Sequence, residues 1–198
     1  MKLGIIGLPQ TGKKTLFATL TGSLPSGETK KTITGIADIR DERFNILTEH
    51  YMPKKTGPAR IDIEVLPAIE PGSSIESDLL AGIASADALC HVVRAFTDES
   101  VYHAKGSVNP ERDIEIINSE LILHDLIFIE KRFERIEKNR KKSGEKNEAE
   151  TKLLQKFKDE LESGNELRNV PISDEEHKLI ASYPFLTQKK NAYSSQYR

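Results

Sequence analysis

The stretch that decides the fold is residues 1–22, MKLGIIGLPQTGKKTLFATLTG. An apolar run at 3–6 predicts a buried strand, and the apolar residues after Lys13 predict the start of a helix. Between them, Gly7 and Gly12 bracket four residues and Lys13 follows, so the spacing G-x-x-x-x-G-K of a phosphate-binding loop is met. In such a loop, backbone N–H groups and the helix N-terminus face an anion, and the lysine reaches the outer phosphates. The stretch therefore predicts a site for the phosphates of a nucleotide.

The loop departs from the motif at its last position. A Ser or Thr whose hydroxyl binds Mg²⁺ is expected after the lysine, but the chain has Lys14, with Thr15 one position later. We therefore expect Mg²⁺ binding to be doubtful, and we assign no metal ligand and no catalytic residue. The predicted phosphate-binding residues are Gly7, Leu8, Pro9, Gln10, Thr11, Gly12, Lys13, Lys14 and Thr15.

Composition suits a cytoplasmic protein of one domain, or of one domain with an insertion. The chain has 198 residues, 30% of them charged, and a net charge of -2. No stretch approaches the roughly 20 apolar residues of a membrane span, and the N-terminus does not resemble a signal peptide. We expect no membrane partner. The single cysteine, Cys90, has apolar neighbours, which predicts a packed thiol and not a nucleophile.

After the first helix the pattern alternates between strands and helices. A polar loop is predicted over 23–35, and in a phosphate-binding fold its threonines Thr29, Thr32 and Thr34 are candidates for a hydroxyl that switches with the ligand, or are merely solvated. Further elements are a strand over 33–39, a helix over 41–51 stopped by Pro53, a strand over 60–66 paired with the preceding strand, and a strand with its approach over 84–96. In the last of these we expect His91 to be a core residue and Arg94 to form a structural ion pair.

The second half of the chain predicts a helical hairpin. The apolar residues of a helix from about 114 recur at alternating steps of four and three, as do those of a second helix from 146, which is the spacing of a coiled-coil seam. Ser143-Gly144 separates the two helices, Ser163-Gly164 ends the second, and residues 171–174 precede a short final helix to about 181. The predicted seam consists of Ile122, Leu126, Ile129, Phe133 and Ile136 in the first helix and Ala149, Leu153, Phe157 and Leu161 in the second.

From residue 1 to about residue 187 the sequence resembles the YchF/Obg-like ATPase family of P-loop proteins. The resemblance rests on the stretches GIIGLPQTGKKTLFATLTG, PKKTGPARIDIE, ADALCHVVRAF and VNPERDIEIINSELILHDLIFIEKR. It implies an α/β fold, a Ras-like domain with an inserted antiparallel helical hairpin, together with ATP or GTP hydrolysis and association with ribosomes. We expect the Ras-like domain to comprise 1–115 and 167–198 and the hairpin to comprise 116–166.

Two departures from the family pattern bear on function. The Asp-x-x-Gly expected after the third strand is replaced by Val65-Leu66-Pro67-Ala68. The base-reading Asn-x-x-Glu and the small C-terminal domain expected after 187 are absent from the given sequence, and we do not assign Asn191 to base recognition. The sequence thus predicts a protein that binds GTP or ATP and hydrolyses it slowly. The alternative is a degenerate relative that binds ribosomes or proteins without turnover.

Basic residues cluster toward the end of the first hairpin helix and include Arg140, Lys141 and Lys142. A basic patch on a stiff arm could contact the phosphate backbone of RNA, which agrees with the ribosome association implied by the resemblance. The same charges could simply solvate a coiled-coil face. The sequence leaves these two interpretations, and the oligomeric state, open.

Overall fold

A computed structural model of the chain describes residues 1–25, 31–70, 77–103, 105–139 and 146–196. Its contacts divide the chain into two compact units. Unit 1 comprises Met1–Pro110 and Asn191–Arg198, and unit 2 comprises Glu111–Lys190. Residues 167–190, which the sequence analysis places in the Ras-like domain, thus group with the helices of unit 2.

Unit 1 is built on a five-stranded sheet with the strand order β2-β3-β1-β4-β5. The strands are β1 Lys2–Ile6, β2 Ile33–Asp38, β3 Arg60–Val65, β4 Ala88–Arg94 and β5 Lys190–Gln196. Strand β1 runs parallel to both β3 and β4, so the carboxyl ends of these three strands lie at one edge of the sheet. Strand β2 is antiparallel to β3 and pairs Ile33 with Val65, so β2 begins at that same edge. The predicted strands and their pairing are confirmed, whereas β5 was not predicted.

In the described part of unit 1, three helices accompany the sheet: α1 Lys13–Thr21, α2 Glu42–Tyr51 and α3 Ser77–Ser85. Asp41 caps α2 by accepting a hydrogen bond from the Arg43 amide, and the helix ends before Pro53 as predicted. Helix α1 packs Phe17 against the sheet, and Gly35 of β2 makes room for it, since a Cβ there would lie 2.5 Å from the Phe17 ring. The resulting core consists of Ile5, Phe17, Ile33, Ala37, Ile63, Val65 and Val92.

Unit 2 consists of α4 Pro110–Asn139, α5 Lys146–Glu162, a single 3-10 turn at Leu167–Asn169 and α6 Asp174–Ile180. The ion pairs Arg132–Glu150 and Lys158–Glu130 join α4 to α5, and their order along the chain makes the two helices antiparallel. At about 1.5 Å per residue, α4 is about 45 Å long. The predicted break at Ser143-Gly144 lies outside the described residues. Within the described part of the chain, no helix has the length and apolar character needed to cross a membrane.

The predicted seam between α4 and α5 is confirmed with one correction. Ile129 is fully buried, and so are the α5 residues Leu153, Phe157 and Leu161. Ala149 is exposed, however, and its neighbour Glu150 is buried in its place. The exchange arises because the Glu150 carboxylate accepts two hydrogen bonds from the Arg132 guanidinium, at 2.6 and 3.2 Å, and one from the Tyr183 hydroxyl.

A second buried carboxylate ties the end of unit 2 to the middle of α4. Asp125 is fully buried and accepts hydrogen bonds from the backbone amides of Leu186 and Thr187, each at 2.9 Å, and from the Thr187 hydroxyl at 2.7 Å. Phe185, beside these residues, packs edge to face against Phe157 of α5. These contacts explain why 167–190 groups with the helices.

Candidate phosphate-binding site

The loop from Gly7 to Gly12 follows β1 directly and lies at the edge of the sheet where β1, β3 and β4 end. Three of its residues have positive φ angles: Gly7 at 154°, Gln10 at 58° and Gly12 at 93°. Positive φ angles of this kind occur in loops whose backbone amides converge on an anion. Gly12 is also the N-cap of α1, and it supplies no side-chain cap to the first turn of the helix.

Gly7 is required here for a second reason, the closeness of the neighbouring strand. A Cβ at Gly7 would lie 2.5 Å from the Val92 carbonyl oxygen of β4 and 3.0 Å from Oγ1 of Thr11. Both distances are shorter than van der Waals contact allows. The first glycine of the motif therefore lets the loop pack against β4.

The amine of Lys13 lies inside the loop. Its Nζ donates hydrogen bonds to the carbonyl oxygens of Gly7, at 2.8 Å, and Leu8, at 2.7 Å, and the side chain is buried. Burial lowers the pKa of Lys13 from 10.5 to about 7, because removal from water disfavours the charged form. The lysine is therefore only partly protonated near neutral pH.

The other predicted site residues fall into two groups. Leu8 and Thr11 are buried, and the Thr11 hydroxyl donates to the Leu8 carbonyl oxygen at 3.1 Å, so they stabilise the loop. Gln10 and Thr15 are exposed, while Pro9 and Lys14 are partly exposed. The structure thus brings Lys13 together with the loop backbone but does not join Thr15 to them.

The site does not fit the Mg²⁺ ion that usually accompanies a nucleotide. The motif position that normally carries a metal-binding hydroxyl is occupied by Lys14, whose side chain has no oxygen to offer and carries a positive charge. Among the residues that the structure describes, no three His, Cys, Asp or Glu side chains are grouped so that they could hold a metal. The two lysines favour phosphate oxygens, and the hydroxyl that the motif expects at position 14 is missing.

The chain after β3 faces the same edge of the sheet and is apolar. Val65, Leu66, Pro67 and Ile69 are buried, and the Ile69 amide donates to the Gly7 carbonyl oxygen at 3.3 Å. Leu66 packs against α3, where a Cβ on Gly82 would lie 2.4 Å from it. No carboxylate lies in 65–69, so this segment supports the phosphate loop by packing and not by charge.

Comparison with known proteins finds relatives with related names. The chain is 38% identical over 199 residues to the ribosome-binding ATPase YchF of Bacillus subtilis and 32% identical over 203 residues to Obg-like ATPase 1 of Caenorhabditis elegans. These matches cover 96% and 98% of this chain. The structure of the Schizosaccharomyces pombe YchF GTPase superposes with a TM-score of 0.75 and 29% identity, over 98% of this chain. The chain belongs to the YchF/Obg-like ATPase family.

The match to the YchF family extends over only part of each relative. The chain spans about half the length of the curated relatives it matches, 54% of the Bacillus protein and 51% of the Caenorhabditis protein, and 55% of the Schizosaccharomyces chain. No protein-family model matches the sequence.

The candidate switch and base-reading positions of the YchF pattern are placed as follows. Thr32 and Thr34 lie at the start of β2, at the edge of the sheet that carries the phosphate loop, while Thr29 lies outside the described residues. Asn191 lies in β5, the strand beside β4, and both polar atoms of its side chain are buried without a hydrogen-bond partner in the described structure. The expectation that Asn191 takes no part in base recognition stays a prediction.

Three residues of β4 were also singled out from the sequence. His91 is buried, as expected, and its ring lies 5.5 Å from that of Tyr193. Cys90 packs against the core, and burial raises the pKa of its thiol, which disfavours the nucleophilic thiolate. Among the residues that the structure describes, Arg94 bonds to backbone oxygens and not to a carboxylate, so the prediction of an ion pair for it is wrong.

Arg94 is buried and uses its guanidinium to organise the segment after β4. It donates hydrogen bonds to the backbone carbonyl oxygens of Phe96, Asp98, Val101 and Tyr102, at 3.0 to 3.2 Å, and lies over the Phe96 ring. Backbone oxygens replace the expected carboxylate because the chain folds back around the guanidinium. The sequence carries no local signal for this arrangement, since carbonyl groups are present at every residue.

Proposed function

We propose that the chain binds ATP or GTP through the phosphate-binding loop 7–15 and hydrolyses it slowly. The observation that carries the proposal is the buried Lys13 amine, held inside a loop whose glycines have the conformations of an anion site. The names of the Bacillus and Caenorhabditis relatives, both ATPases, support a nucleotide as the ligand. Affinity comes from the loop amides and the lysines, so we expect little preference between the two bases.

Phosphate binding should take up a proton. The pKa of Lys13 is about 7 because the amine is buried, and a nearby phosphate anion favours the charged form and raises that pKa. At pH 8 the loop therefore gains up to one proton when the anion binds. Calorimetry in buffers of different ionisation enthalpy measures this uptake directly, and a heat that is the same in every buffer would show that Lys13 does not change charge.

Slow turnover follows from what surrounds the loop. Efficient phosphoryl transfer needs a metal ion, an oriented terminal phosphate and a positioned water. Lys14 stands where the metal-binding hydroxyl belongs, and the buried segment after β3 offers no carboxylate. We therefore expect a hydrolysis rate far below that of an ordinary nucleoside triphosphatase.

Calorimetric titration with ATP, GTP and inorganic pyrophosphate, each with and without Mg²⁺, tests the proposal. We expect similar affinities for the three ligands and a small effect of the metal. If Mg²⁺ raises the affinity for a ligand about a hundredfold, equivalent to more than 2 kcal/mol of coupling, then Thr15 or another group binds the metal.

The alternative is a degenerate relative that uses the loop only as a structural turn. It is favoured by the two hydrogen bonds that already satisfy the Lys13 amine within its own loop. Under this alternative, none of the three ligands binds and the chain acts through protein or ribosome contacts. The same titration separates the two functions.

We also propose that the protein acts in the cytoplasm, bound to the ribosome through the basic end of α4. The printed name of the Bacillus relative supports a ribosomal partner, and Lys131, Arg135 and Lys138 are exposed near that end. Arg140, Lys141 and Lys142 lie outside the described residues. Contacts with RNA phosphates release counterions, so binding to ribosomes should fall steeply with salt and weaken when these three residues are changed together to Glu. If that variant binds ribosomes as tightly as the parent does, the basic residues only solvate the surface of the helix.

A further inference from the structure

Two backbone carbonyl groups hold the Lys13 amine, and each of them accepts a second hydrogen bond. The Leu8 oxygen accepts one from Lys13 Nζ at 2.7 Å and one from the Thr11 hydroxyl at 3.1 Å. The Gly7 oxygen accepts one from Lys13 Nζ at 2.8 Å and one from the Ile69 amide at 3.3 Å. A carbonyl oxygen has two lone pairs and can accept from both donors at once. Neither oxygen therefore depends on the lysine alone.

These hydrogen bonds lie in the interior of the loop. Gly7, Leu8, Thr11 and Lys13 are all buried. A buried carbonyl group that loses its last donor costs free energy, because water does not replace the lost hydrogen bond. The second donor on each oxygen therefore decides whether the lysine can leave that oxygen at low cost.

A phosphate ligand competes with the two carbonyl groups for Lys13. A protonated lysine has three N–H groups, so within the described structure these two bonds leave one N–H for a ligand. A diphosphate or triphosphate presents several charged oxygens, and hydrogen bonds to charged oxygens are stronger than those to neutral carbonyl groups. A second N–H can bind the ligand only if Lys13 releases one carbonyl oxygen.

The Leu8 carbonyl group is better suited to this release than that of Gly7. Its second donor is the hydroxyl of Thr11, whose hydrogen rotates to suit its acceptor. The second donor to Gly7 is a backbone amide, fixed in direction, and its bond is longer. The Thr11 oxygen also lies against the loop backbone, since a Cβ on Gly7 would be 3.0 Å from it. Thr11 is thus placed to hold the Leu8 oxygen by itself.

We propose that Thr11 is a positioning residue of the phosphate-binding loop, whose hydroxyl keeps the Leu8 carbonyl group bonded when Lys13 binds the phosphates of a ligand. This role rests on the proposed phosphate-binding function and adds the step by which the loop releases its lysine. Without the hydroxyl, the free loop keeps the bond from Lys13 to Leu8, but ligand binding leaves the buried Leu8 oxygen with no donor. Loss of the hydroxyl therefore weakens ligand binding, although Thr11 need not touch the ligand.

Calorimetric titration of full-chain variants with inorganic pyrophosphate, in the absence of Mg²⁺, tests the proposal. Thr11→Val removes the hydroxyl and keeps the branched shape, while Thr11→Ala removes it without adding bulk beside Gly7. Each should bind pyrophosphate about tenfold more weakly than the parent, which is the effect of leaving one buried carbonyl group unbonded. Thr11→Ser keeps the hydroxyl and should bind as the parent does.

Thr21→Val is the matched control, because it removes a hydroxyl that donates to the Phe17 carbonyl oxygen at 2.8 Å, at the far end of α1. It should leave pyrophosphate binding unchanged. Urea denaturation of the free variants separates a purely structural role, which would lower the free energy of unfolding and leave the affinity as it is. Equal affinity of the parent, Thr11→Val and Thr11→Ala would overturn this role but not the proposed function. A parent chain that does not bind pyrophosphate would overturn both.

Discussion

The segments after β1 and β3 lie side by side at one edge of the sheet but differ in chemistry. After β1, Gly7 and Gly12 bend the backbone of the proposed phosphate-binding loop around the Lys13 amine. After β3, Val65, Leu66 and Ile69 are buried, and the Ile69 amide bonds to Gly7. The first segment offers charge and polar backbone groups, and the second offers packing.

This difference separates binding from turnover. An anion needs only converging amides and a cation, which a single loop provides. Hydrolysis also needs groups from neighbouring loops, and a buried apolar segment cannot supply a carboxylate. A loop of this kind can therefore bind an anion even where the neighbouring segment supplies only packing.

The largest effect on stability should come from Gly7→Ala, which changes a residue of the loop itself. Its Cβ would lie 2.5 Å from the Val92 carbonyl oxygen, at a residue with a φ of 154°. Overpacking and backbone strain together should lower the free energy of unfolding by about 3 kcal/mol or more. Urea denaturation measures the loss.

Gly22→Ala is the matched control for Gly7→Ala. Gly22 has a φ of 69°, but a Cβ there would meet no atom within 4 Å. The change should therefore cost only the strain of the left-handed backbone, about 1 kcal/mol. Equal losses for the two variants would contradict the close packing of the loop against β4.

The second-largest effect is the contribution of Lys13 to the pH dependence of stability. The folded pKa of about 7 lies below the ordinary value of 10.5, so the unfolded chain binds more protons between these values and stability rises with pH in that window. This group alone should add about 3 kcal/mol to the free energy of unfolding between pH 7 and pH 9.5. Denaturation of the parent and of Lys13→Met at several pH values isolates the contribution. Parallel pH profiles would show that the Lys13 amine is not buried.

A smaller effect on stability is expected from Gly82→Ala in α3, which disturbs the packing of the segment after β3. The new Cβ would lie 2.4 Å from the Leu66 side chain, and Leu66 is buried. The strain should cost about 1 to 3 kcal/mol, because a leucine side chain shifts more readily than a backbone carbonyl. The variant should still bind pyrophosphate, as the loop after β1 is unchanged. Loss of pyrophosphate binding in a folded Gly82→Ala protein would show that the two segments act as one site.

No increase in hydrolysis is expected from Lys14→Ser. The change restores the hydroxyl of the motif, but the buried stretch 65–69 after β3 still carries no carboxylate. Phosphate release from ATP and GTP with Mg²⁺ should stay as slow as in the parent. Fast release by this variant would mean that Lys14 alone limits turnover.

The sequence predicts those features that depend on local patterns. The phosphate-binding loop follows from the spacing of Gly7, Gly12 and Lys13, and the seam of α4 and α5 follows from apolar periodicity. Strand β5 could not be predicted in this way, because KNAYSSQ is almost entirely polar and its strand is defined by its place beside β4. Helix α3 is short and follows a Gly- and Ser-containing segment, so its period is weak.

The site details that escaped prediction depend on tertiary contacts. Arg94 binds carbonyl oxygens of a segment that folds back on it, and Glu150 replaces Ala149 in the seam because Arg132 and Tyr183 bind its carboxylate. The lowered pKa of Lys13 likewise arises from burial, which cannot be inferred from the sequence motif. Sequence spacing thus identifies the loop, whereas its electrostatic state follows from the packing around it.

The central claim is that the loop after β1 binds phosphate through Lys13, without help from a base or a metal. Titration of the parent and of Lys13→Ala with inorganic pyrophosphate in the absence of Mg²⁺ tests it most directly, with Lys54→Ala, at an exposed lysine outside the loop, as control. The account predicts saturable binding by the parent and the control and none by Lys13→Ala. Equal binding by all three proteins would contradict it, because the phosphate would then bind elsewhere.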